Sequence, residues 1–300
     1  MLLNLNLIMG KQRAISINMP VYNGEKYVEK AIRSVLDQTF SDFEFIILDD
    51  GSTDATPEII NSFSDDRIIS IRNEHDFVKT LNMGLDRSSG KYFVRMDSDD
   101  IMHAERLEIQ HTFMEKNPEI DVYSTWMLGF NGKGENKVWK TVSGYVENPL
   151  LQLLYGDFVC NPTSMIRKEF VDTHAIRYDA YRYAGDFKFW SDAAKYGARF
   201  YVDSQLLHYY RFSEEQVSVI HKEEQTRNTI EIKKEIILAL VEKQPMQQAF
   251  GETYRALKAL SDANKITDKL FIEFFYKLFQ EQKITADPDT GTLSVSKIPV

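Results

Sequence analysis

One short apolar segment ends in three carboxylates within four residues. Asp97, Asp99 and Asp100, with Ser98 between them, directly follow residues 92–96, which are rich in strand-forming types. Open α/β sheets bind ligands at the carboxyl ends of their strands, where carboxylates suit a Mg²⁺ or Mn²⁺ ion that also binds a diphosphate. Asp97 and Asp99 are therefore candidate metal ligands. The alternative is a polar loop in which Asp100 caps the next helix.

Segments with strand and helix character alternate on both sides of this loop. Such alternation predicts a parallel sheet with right-handed crossover connections. Strands are predicted at residues 14–19, 43–48, 67–72 and 92–96, and helices at residues 27–36, from 56 onward, 78–85 and 104–116.

Polar or turn-forming residues follow three of the predicted strands, at Pro20, Asp50 and Asp97. Pro20 is expected to end the first strand because it has no backbone N–H. Since the carboxyl ends of parallel strands meet at one edge, these three positions predict a shared site. Two structural alternatives remain open: Tyr22 packs over the turn, and Asp50 only forms a turn by bonding its own backbone.

The sequence contains neither a GxxxxGK[ST] loop nor a GxGxxG loop. Gly132, Lys133 and Gly134 separate the apolar residues 123–130 from residues 138–142, so they predict a hairpin turn. Phosphate at this site would therefore be neutralised by a metal ion rather than by a glycine-rich loop.

Composition excludes several classes of protein. Three hundred residues with 43% hydrophobic types predict one large domain, or one domain with an appendage, and argue against disorder. A net charge of −9 argues against a nucleic-acid-binding protein. The single Cys160 fits a reducing compartment, and the sequence has no transmembrane-length apolar run. Residues 1–12 lack a basic n-region, so a cytoplasmic location is predicted.

Three motifs now identify a family. The sequences PVYN at residues 20–23, DDGSTD at 49–54 and DSDD at 97–100, in this order and spacing, closely resemble family 2 glycosyltransferases of the GT-A fold. The resemblance is strong over residues 13–130 and continues more loosely to about residue 218. It implies a nucleotide-diphosphate sugar donor and a divalent metal ion, Mn²⁺ or Mg²⁺.

Carried over residue by residue, the resemblance first implies a nucleobase pocket. Pro20, Val21 and Tyr22 would line this pocket, and Tyr22 would offer it an aromatic face. Asp50 would accept a hydrogen bond from the base, as expected for uracil. Asn82 matches a family position near the donor.

The resemblance also assigns the acidic loop. Asp97 and Ser98 would lie near the ribose or the sugar, and Asp99, with Asp97, would bind the metal ion that bridges the diphosphate.

A further resemblance concerns the base that activates the acceptor hydroxyl. The family places an aspartate before an aromatic-rich helix, and Asp186 stands at that position, although Gly185 replaces the glutamate that usually precedes it. The alternative is that Asp186 is the N-cap of this helix, which Gly197 would end.

Other parts of the second half match the family less closely. Residues 157–164 resemble the acceptor-side loop, and Ser213 stands where relatives often have a histidine, a possible metal ligand. His208 or His221 would be the substitute, but a structural role is the alternative for both. Arg211 would either contact phosphate or pair with a carboxylate.

The domain organisation follows from these segments. We expect an N-terminal extension at residues 1–12, a GT-A domain at 13–221 and a helical C-terminal region with a loose tail at 222–300. The GT-A domain would comprise a nucleotide-sugar-binding half (13–130) and an acceptor half (131–221). Three alternatives remain for the helical region: packing on the catalytic domain, peripheral membrane contact or homodimerisation.

The sequence predicts an inverting enzyme that moves one sugar from a nucleotide-diphosphate donor, expected to be UDP-linked, to a hydroxyl of a glycan or lipid-linked acceptor. A QxxRW element, typical of processive synthases, is absent. The family's usual products are surface polysaccharides. Alternatives are a sugar nucleotidyltransferase, which usually begins with a glycine-rich basic loop unlike residues 20–24, and a non-catalytic nucleotide-sugar or glycan-binding relative.

Overall fold

The structure is a computed structural model that describes residues 13–131, 133–179, 181–213, 216–243, 247–280, 282–286 and 293–297. The predicted N-terminal extension and part of the predicted loose tail lie outside these residues. The strands are β1 (Ile15–Val21), β2 (Phe43–Asp49), β3 (Ile68–Arg72), β4 (Tyr92–Arg95), β5 (Ile101–Met102), β6 (Val122–Phe130), β7 (Asn136–Trp139), β8 (Gly144–Tyr145), β9 (Met165–Arg167), β10 (Phe200–Arg211), β11 (Gln282–Ala286) and β12 (Leu293–Lys297). The helices are α1 (Val28–Leu36), α2 (Thr56–Asn61), α3 (Phe77–Arg87), α4 (Arg106–Lys116), α5 (Pro149–Tyr155), α6 (Lys168–Thr173), α7 (Gly185–Lys195), α8 (Val217–Ile220), α9 (Lys222–Glu242), α10 (Gln247–Asp262) and α11 (Asp268–Gln280).

The first half of the main sheet is parallel, as predicted. Its strands lie in the order β3-β2-β1-β4, with β1 paired to both β2 and β4. Central strands of such a sheet are covered on both faces, which explains why every residue of β1 and all but one residue of β2 are buried. The carboxyl ends of β2, β1 and β4 therefore lie side by side at one sheet edge.

The second half of the sheet is mixed. Strand β9 pairs antiparallel with both β4 and β6, whereas β10 is parallel to β6. The short strand β5 pairs antiparallel with β10, and β6 forms the predicted hairpin with β7. The antiparallel strand β9 thus joins the two halves into one continuous sheet.

Strand β1 does not end at Pro20, as the sequence predicted, but continues to Val21. Asn18 faces β4, because its carbonyl accepts a hydrogen bond from the Met96 N–H. Residue 20 faces the same side as residue 18, and β4 has already ended there at Arg95. The missing N–H of Pro20 therefore removes no bond from the β1–β4 ladder, and the strand can continue through the proline.

Two predicted helices have different limits in the structure. The helix predicted from residue 104 begins at Arg106, because β5 intervenes after the acidic loop. Within the helical region predicted from residue 222, α10 and α11 are separate helices, and Asn264 between them has a φ of +53°. A left-handed residue cannot continue an α-helix, which explains the break.

The core beneath the site lies between α1 and the parallel strands. Val28, Ala31, Ile32 and Val35 form the buried face of α1, at the helical spacing expected from the sequence. They pack with apolar side chains of β1, β2 and β4 in one continuous cluster. Fully burying an aliphatic side chain of this kind contributes about 1.5–3 kcal/mol, so this face fixes α1 against the sheet.

The chain divides into two compact units, which comprise the described residues of 1–146, 159–180 and 198–220, and of 147–158, 181–197 and 221–300. The first unit contains the main sheet with α1–α4, α6 and α8. The second contains α5 and α7 as well as the C-terminal helices, so residues 147–158 and 181–197 of the predicted GT-A domain belong to it.

In the second unit, α9 contacts α5, α7, α10 and α11. Phe271, Phe275 and Phe279 form the buried face of α11, and Tyr254 of α10 packs against the first two rings. The predicted helical C-terminal region is therefore confirmed, and β11 and β12, which were not predicted, form an antiparallel pair after it. No helix in the described ranges is both long and apolar enough to cross a membrane.

Gly90 lies where the backbone of β1 closely approaches the residues before β4. A Cβ atom at this position would lie 2.6 Å from the Ser16 nitrogen and 2.7 Å from the Ile15 carbonyl carbon. We expect Gly90→Ala to lower the free energy of unfolding by about 1–3 kcal/mol, because backbone atoms must shift to admit the methyl group. Urea denaturation measures this loss.

Gly156→Ala is the matched control. A Cβ atom there would have no neighbour within 4 Å, and its φ of −172° is open to any residue. Equal urea midpoints for the two variants would contradict the proposed contact between Gly90 and β1.

Candidate active site

The sheet edge brings together the three strand ends singled out in the sequence. The Asp50 N–H donates to the Val21 carbonyl (2.8 Å), and the Met96 N–H donates to the Asn18 carbonyl (3.1 Å). These bonds place the residues after β1, β2 and β4 next to each other. A Cβ atom at Gly24 would lie 3.7 Å from the Ser98 Oγ, so the turn after β1 also approaches the acidic loop.

Tyr22 is the exposed aromatic residue of this edge. Its side chain is 46% exposed, and its ring stacks on His75 with a centroid distance of 4.1 Å and an interplanar angle of 26°. The neighbouring Val21 is buried in the apolar core, so its contact with any ligand would be through the backbone. Pro20 is likewise buried.

Asp50 is a buried carboxylate with one oxygen engaged by protein donors. Its Oδ1 accepts hydrogen bonds from the Asp76 N–H (2.9 Å) and the Thr80 hydroxyl (2.6 Å), while the side chain is 1% exposed. Its Oδ2 accepts no hydrogen bond from the described residues. The His75 Nδ1 lies 3.0 Å from this oxygen, but its N–H donates to the Asp50 carbonyl at 3.1 Å.

The alternative that Asp50 only forms a turn is wrong, because a different residue has that role. Asp49 accepts the Ser52 N–H at 2.8 Å, and Gly51 has a φ of +81° that favours glycine. Asp50 instead points towards the start of α3, with one oxygen available to a further donor.

The carboxylates of the acidic loop are crowded together and partly buried. Asp97 accepts a hydrogen bond from the Arg95 guanidinium (2.9 Å) and remains partly exposed. Burial and then the charges of Asp100 and Asp97 raise the pKa of Asp99 to about 7. Crowded carboxylates of this kind are a suitable donor set for a hard divalent cation.

Asp100 belongs to a buried network rather than to the start of a helix. Its Oδ2 accepts a hydrogen bond from the His208 Nε2 (2.7 Å), and its Oδ1 accepts one from the Arg211 backbone N–H (2.7 Å). Arg106 lies on the other side of the histidine, with its Nη1 3.0 Å from the His208 Nδ1. The predicted N-cap role of Asp100 is therefore wrong, since α4 begins after Glu105.

The protonation of His208 follows from its two partners. A guanidinium can only donate, so the Nδ1 accepts and the Nε2 carries the proton that bonds Asp100. Burial and the charge of Arg106 lower the pKa of His208, which agrees with a neutral ring. Both ring nitrogens are engaged, so His208 is structural and does not replace the missing family histidine as a metal ligand.

Arg211 is held by aromatic rings and by the acidic loop. Its guanidinium carbon lies 4.1 Å from the ring centroid of Tyr27 and 4.4 Å from that of Phe130. Its Nε donates to the Asp99 carbonyl at 2.8 Å. These contacts fix the backbone of the loop and are not an ion pair with a carboxylate, whereas a phosphate contact stays a prediction.

Asn82 is fully paired with a neighbouring backbone. Its Nδ2 donates to the Tyr178 carbonyl, and its Oδ1 accepts the Tyr178 N–H, both at 2.9 Å. This pairing explains the asparagine structurally, whereas a donor contact stays a prediction.

Asp186 lies in the second unit, in the first turn of α7. Its Oδ1 accepts the Phe187 N–H at 2.8 Å, and carboxylates are favoured in a first turn because its N–H groups lack intrahelical partners. The predicted N-cap alternative is wrong, since Ala184 has that position. His221, the other candidate metal ligand, stacks on Tyr183 with a centroid distance of 4.0 Å.

The described residues contain no cluster of three His, Cys, Asp or Glu side chains that could hold a metal ion. Asp97 and Asp99 still fit a Mg²⁺ or Mn²⁺ ion, because such ions are commonly held by one or two carboxylates and completed by water and phosphate oxygens. This donor set therefore suits an ion that arrives with a diphosphate.

Comparison with known sequences gives matches over most of the chain. A family model described as Glycosyl transferase family 2 matches residues 16–174. An uncharacterized glycosyltransferase of Haemophilus influenzae is 29% identical over 287 residues, which cover 88% of this chain and 86% of that relative. The Escherichia coli UDP-Glc:alpha-D-GlcNAc-diphosphoundecaprenol beta-1,3-glucosyltransferase WfgD is 40% identical over 116 residues, covering 38% of this chain and 46% of WfgD.

Solved structures match the fold. TarS of S. aureus, residues 1–349 in complex with UDP-GlcNAc, has a TM-score of 0.63 at 21% identity and covers 95% of this chain and 97% of that chain. The mannosyltransferase PcManGT of Pyrobaculum calidifontis, in complex with GDP-Man and Mn²⁺, has a TM-score of 0.56 at 14% identity and covers 90% of this chain and 81% of that chain. The predicted GT-A fold is confirmed.

The buried network under the acidic loop yields a prediction of stability. Arg106→Leu would remove a buried positive charge that reaches Asp100 through His208 and would leave the His208 Nδ1 without its donor, and we expect a loss of about 3–5 kcal/mol in the free energy of unfolding. Chemical denaturation followed by circular dichroism measures the loss.

Arg33→Leu is the control, because Arg33 forms an exposed pair with Glu29 on α1. Such a pair contributes only about 0.3–0.5 kcal/mol. A similar loss in both variants would mean that Arg106 is not the essential counter-charge.

Proposed function

Because the chain belongs to glycosyltransferase family 2, we propose that it transfers one sugar from a UDP-linked donor to a hydroxyl group of a glycan or lipid-linked acceptor. The observation that carries the proposal is the sheet edge at which Tyr22, Asp50 and the acidic loop lie side by side. The aromatic face suits stacking with the base, and the buried hydrogen-bond acceptor suits the polar edge of the base. The paired carboxylates suit a metal ion that binds the diphosphate of the same ligand.

The uracil assignment rests on Asp50 and on a structural neighbour. The Oδ2 of this buried carboxylate accepts no hydrogen bond from the described residues and could accept the imide N–H of uracil, whereas cytosine would present an acceptor there. Leaving a buried acceptor without a donor costs about 1–3 kcal/mol, so this contact disfavours cytosine. The TarS complex contains UDP-GlcNAc, which supports a UDP-linked donor for this chain.

Asp97 and Asp99 would hold the metal ion. When bound, Mn²⁺ or Mg²⁺ neutralises negative charge on the leaving diphosphate. Asp99 is the principal ligand in this proposal. Its backbone is fixed by the hydrogen bond that its carbonyl accepts from the Arg211 Nε. The PcManGT complex with Mn²⁺ supports the use of a divalent ion in this fold.

Asp186 would remove the proton of the acceptor hydroxyl. The hydroxyl oxygen then forms a bond to the anomeric carbon as the bond to the diphosphate breaks, which inverts the configuration at that carbon. The match of Asp186 to the family motif and its place in the first turn of α7 support this role. The name of WfgD, a glucosyltransferase that acts on a diphosphoundecaprenol-linked sugar, supports a lipid-linked acceptor and surface polysaccharide synthesis.

The donor half is tested by calorimetric titration of UDP, GDP, dTDP and CMP, each with Mn²⁺ and with EDTA. We expect UDP to bind most tightly, and more tightly with Mn²⁺ than with EDTA. Asp99→Asn should remove most of this metal dependence, because it removes the principal ligand charge. Asp66→Asn, which alters an exposed aspartate near β3, is the control. Absence of nucleotide binding in the wild type would refute the donor assignment.

Asp186→Asn tests the base. Asparagine keeps an oxygen that can accept the Phe187 N–H but cannot take up the acceptor proton at neutral pH. We expect turnover to fall by about 10²–10⁴-fold with UDP affinity unchanged. Turnover is measured as UDP release with a UDP-sugar and acceptor lipid extract.

Glu223→Gln, which neutralises an acid in the first turn of α9, is the control and should retain wild-type turnover. If Asp186→Asn turns over at the wild-type rate, another residue must be the base.

A further inference from the structure

His75 makes the two contacts that the proposed nucleobase subsite offers. Its imidazole stacks on the exposed ring of Tyr22, with 4.1 Å between the centroids and 26° between the planes. Its Nδ1 lies 3.0 Å from Asp50 Oδ2 and donates to the Asp50 carbonyl at 3.1 Å. Uracil is also a planar ring with an N–H. In the proposed subsite it would make the same two contacts, stacking on Tyr22 and donating to Asp50.

We propose that His75 and the donor base compete for one place, so that the base must displace the imidazole from Tyr22 and Asp50. His75 therefore lowers the apparent affinity of the protein for the nucleotide. This inference rests on the proposed function, because it assigns the same edge to the donor base.

The local chain allows this exchange. The His75 side chain is 59% exposed, so it can leave the Tyr22 ring for solvent without opening the core. Asp50 keeps its bonds to the Asp76 N–H and the Thr80 hydroxyl on Oδ1, so the carboxylate stays in place when His75 leaves. The exchange therefore needs a rotation of one side chain and no rearrangement of the sheet edge.

The size of the effect follows from the contacts that must be broken. The apparent affinity for UDP equals the intrinsic affinity multiplied by the fraction of molecules in which His75 has left the subsite. The free energy of a stacked ring pair of this kind implies that this fraction reduces the affinity by a factor of about 2–10. We expect His75→Ala to lower the Kd for UDP by this factor. The same factor is expected for UMP, because the imidazole competes with the base and not with the phosphates.

Binding kinetics distinguish competition from a direct contact. Since His75 leaves before the base is seated, His75→Ala should raise the association rate and leave the dissociation rate unchanged. His75→Phe keeps a ring that stacks on Tyr22 and should bind UDP within about twofold of the wild type. Glu74→Ala changes the exposed neighbour and should bind as the wild type does.

Stopped-flow and calorimetric measurements on the full chain with UDP and UMP decide the matter. Weaker binding by His75→Ala with faster dissociation would overturn the proposal, because His75 would then support the bound base. An unchanged Kd in His75→Ala, or equal tightening in the Ala and Phe variants, would also overturn it. These outcomes concern His75 alone, whereas failure of every variant and of the wild type to bind UDP or UMP would refute the donor assignment itself.

Discussion

The acidic end of β4 depends on the buried guanidinium of Arg106. Arg106 is fully buried and reaches Asp100 through the neutral ring of His208, and it also donates to the Arg95 carbonyl at the end of β4. Burying Asp100 without this counter-charge would cost several kcal/mol. Because Met102 in β5 pairs with His208 in β10, the same network fixes both ends of the loop that carries Asp97 and Asp99. The loop can therefore present crowded carboxylates from a rigid base.

A second cluster of hydrogen bonds fixes the opposite side of the site. The Asp76 N–H and the Thr80 hydroxyl bond Asp50, and the Asp76 side chain accepts the Lys79 N–H at the start of α3. The start of the helix and the orientation of Asp50 are therefore determined together. Gly84 lets α3 lie close to the sheet, since a Cβ atom there would be 2.2 Å from the Asn18 Oδ1. This close packing keeps the start of α3 at the end of β2.

Local sequence patterns predicted the elements that carry the site but not the contacts that stabilise it. Apolar periodicity gave β1–β4 and α1–α3 to within a few residues, because each is short and has one clear buried face or run. The bond between Arg106 and His208 joins residues 102 positions apart, and no local pattern reports such a pair. A charged residue at the apolar spacing of α4, beside Leu107, was the one available signal.

For the same reason, the sequence predicted some features of the site and not others. The positions of Tyr22, Asp50 and Asp97 at one edge followed from the parallel order of the strands. The contact of His75 with Tyr22 depends on the loop between β3 and α3, whose course the sequence pattern does not specify. The antiparallel insertion of β9 was also missed, since three residues are too few to show a period.

Pro20 has a consequence for the length of its neighbour. The next bond of the ladder between β1 and β4 would run from an N–H at residue 20 to the Met96 carbonyl, and proline cannot form it. A residue with a backbone N–H at this position would permit that bond and so one more step of pairing towards Asp97. The imino acid therefore limits β4 to Arg95 and keeps the acidic residues as a loop, although it lies on another strand and bears no charge itself.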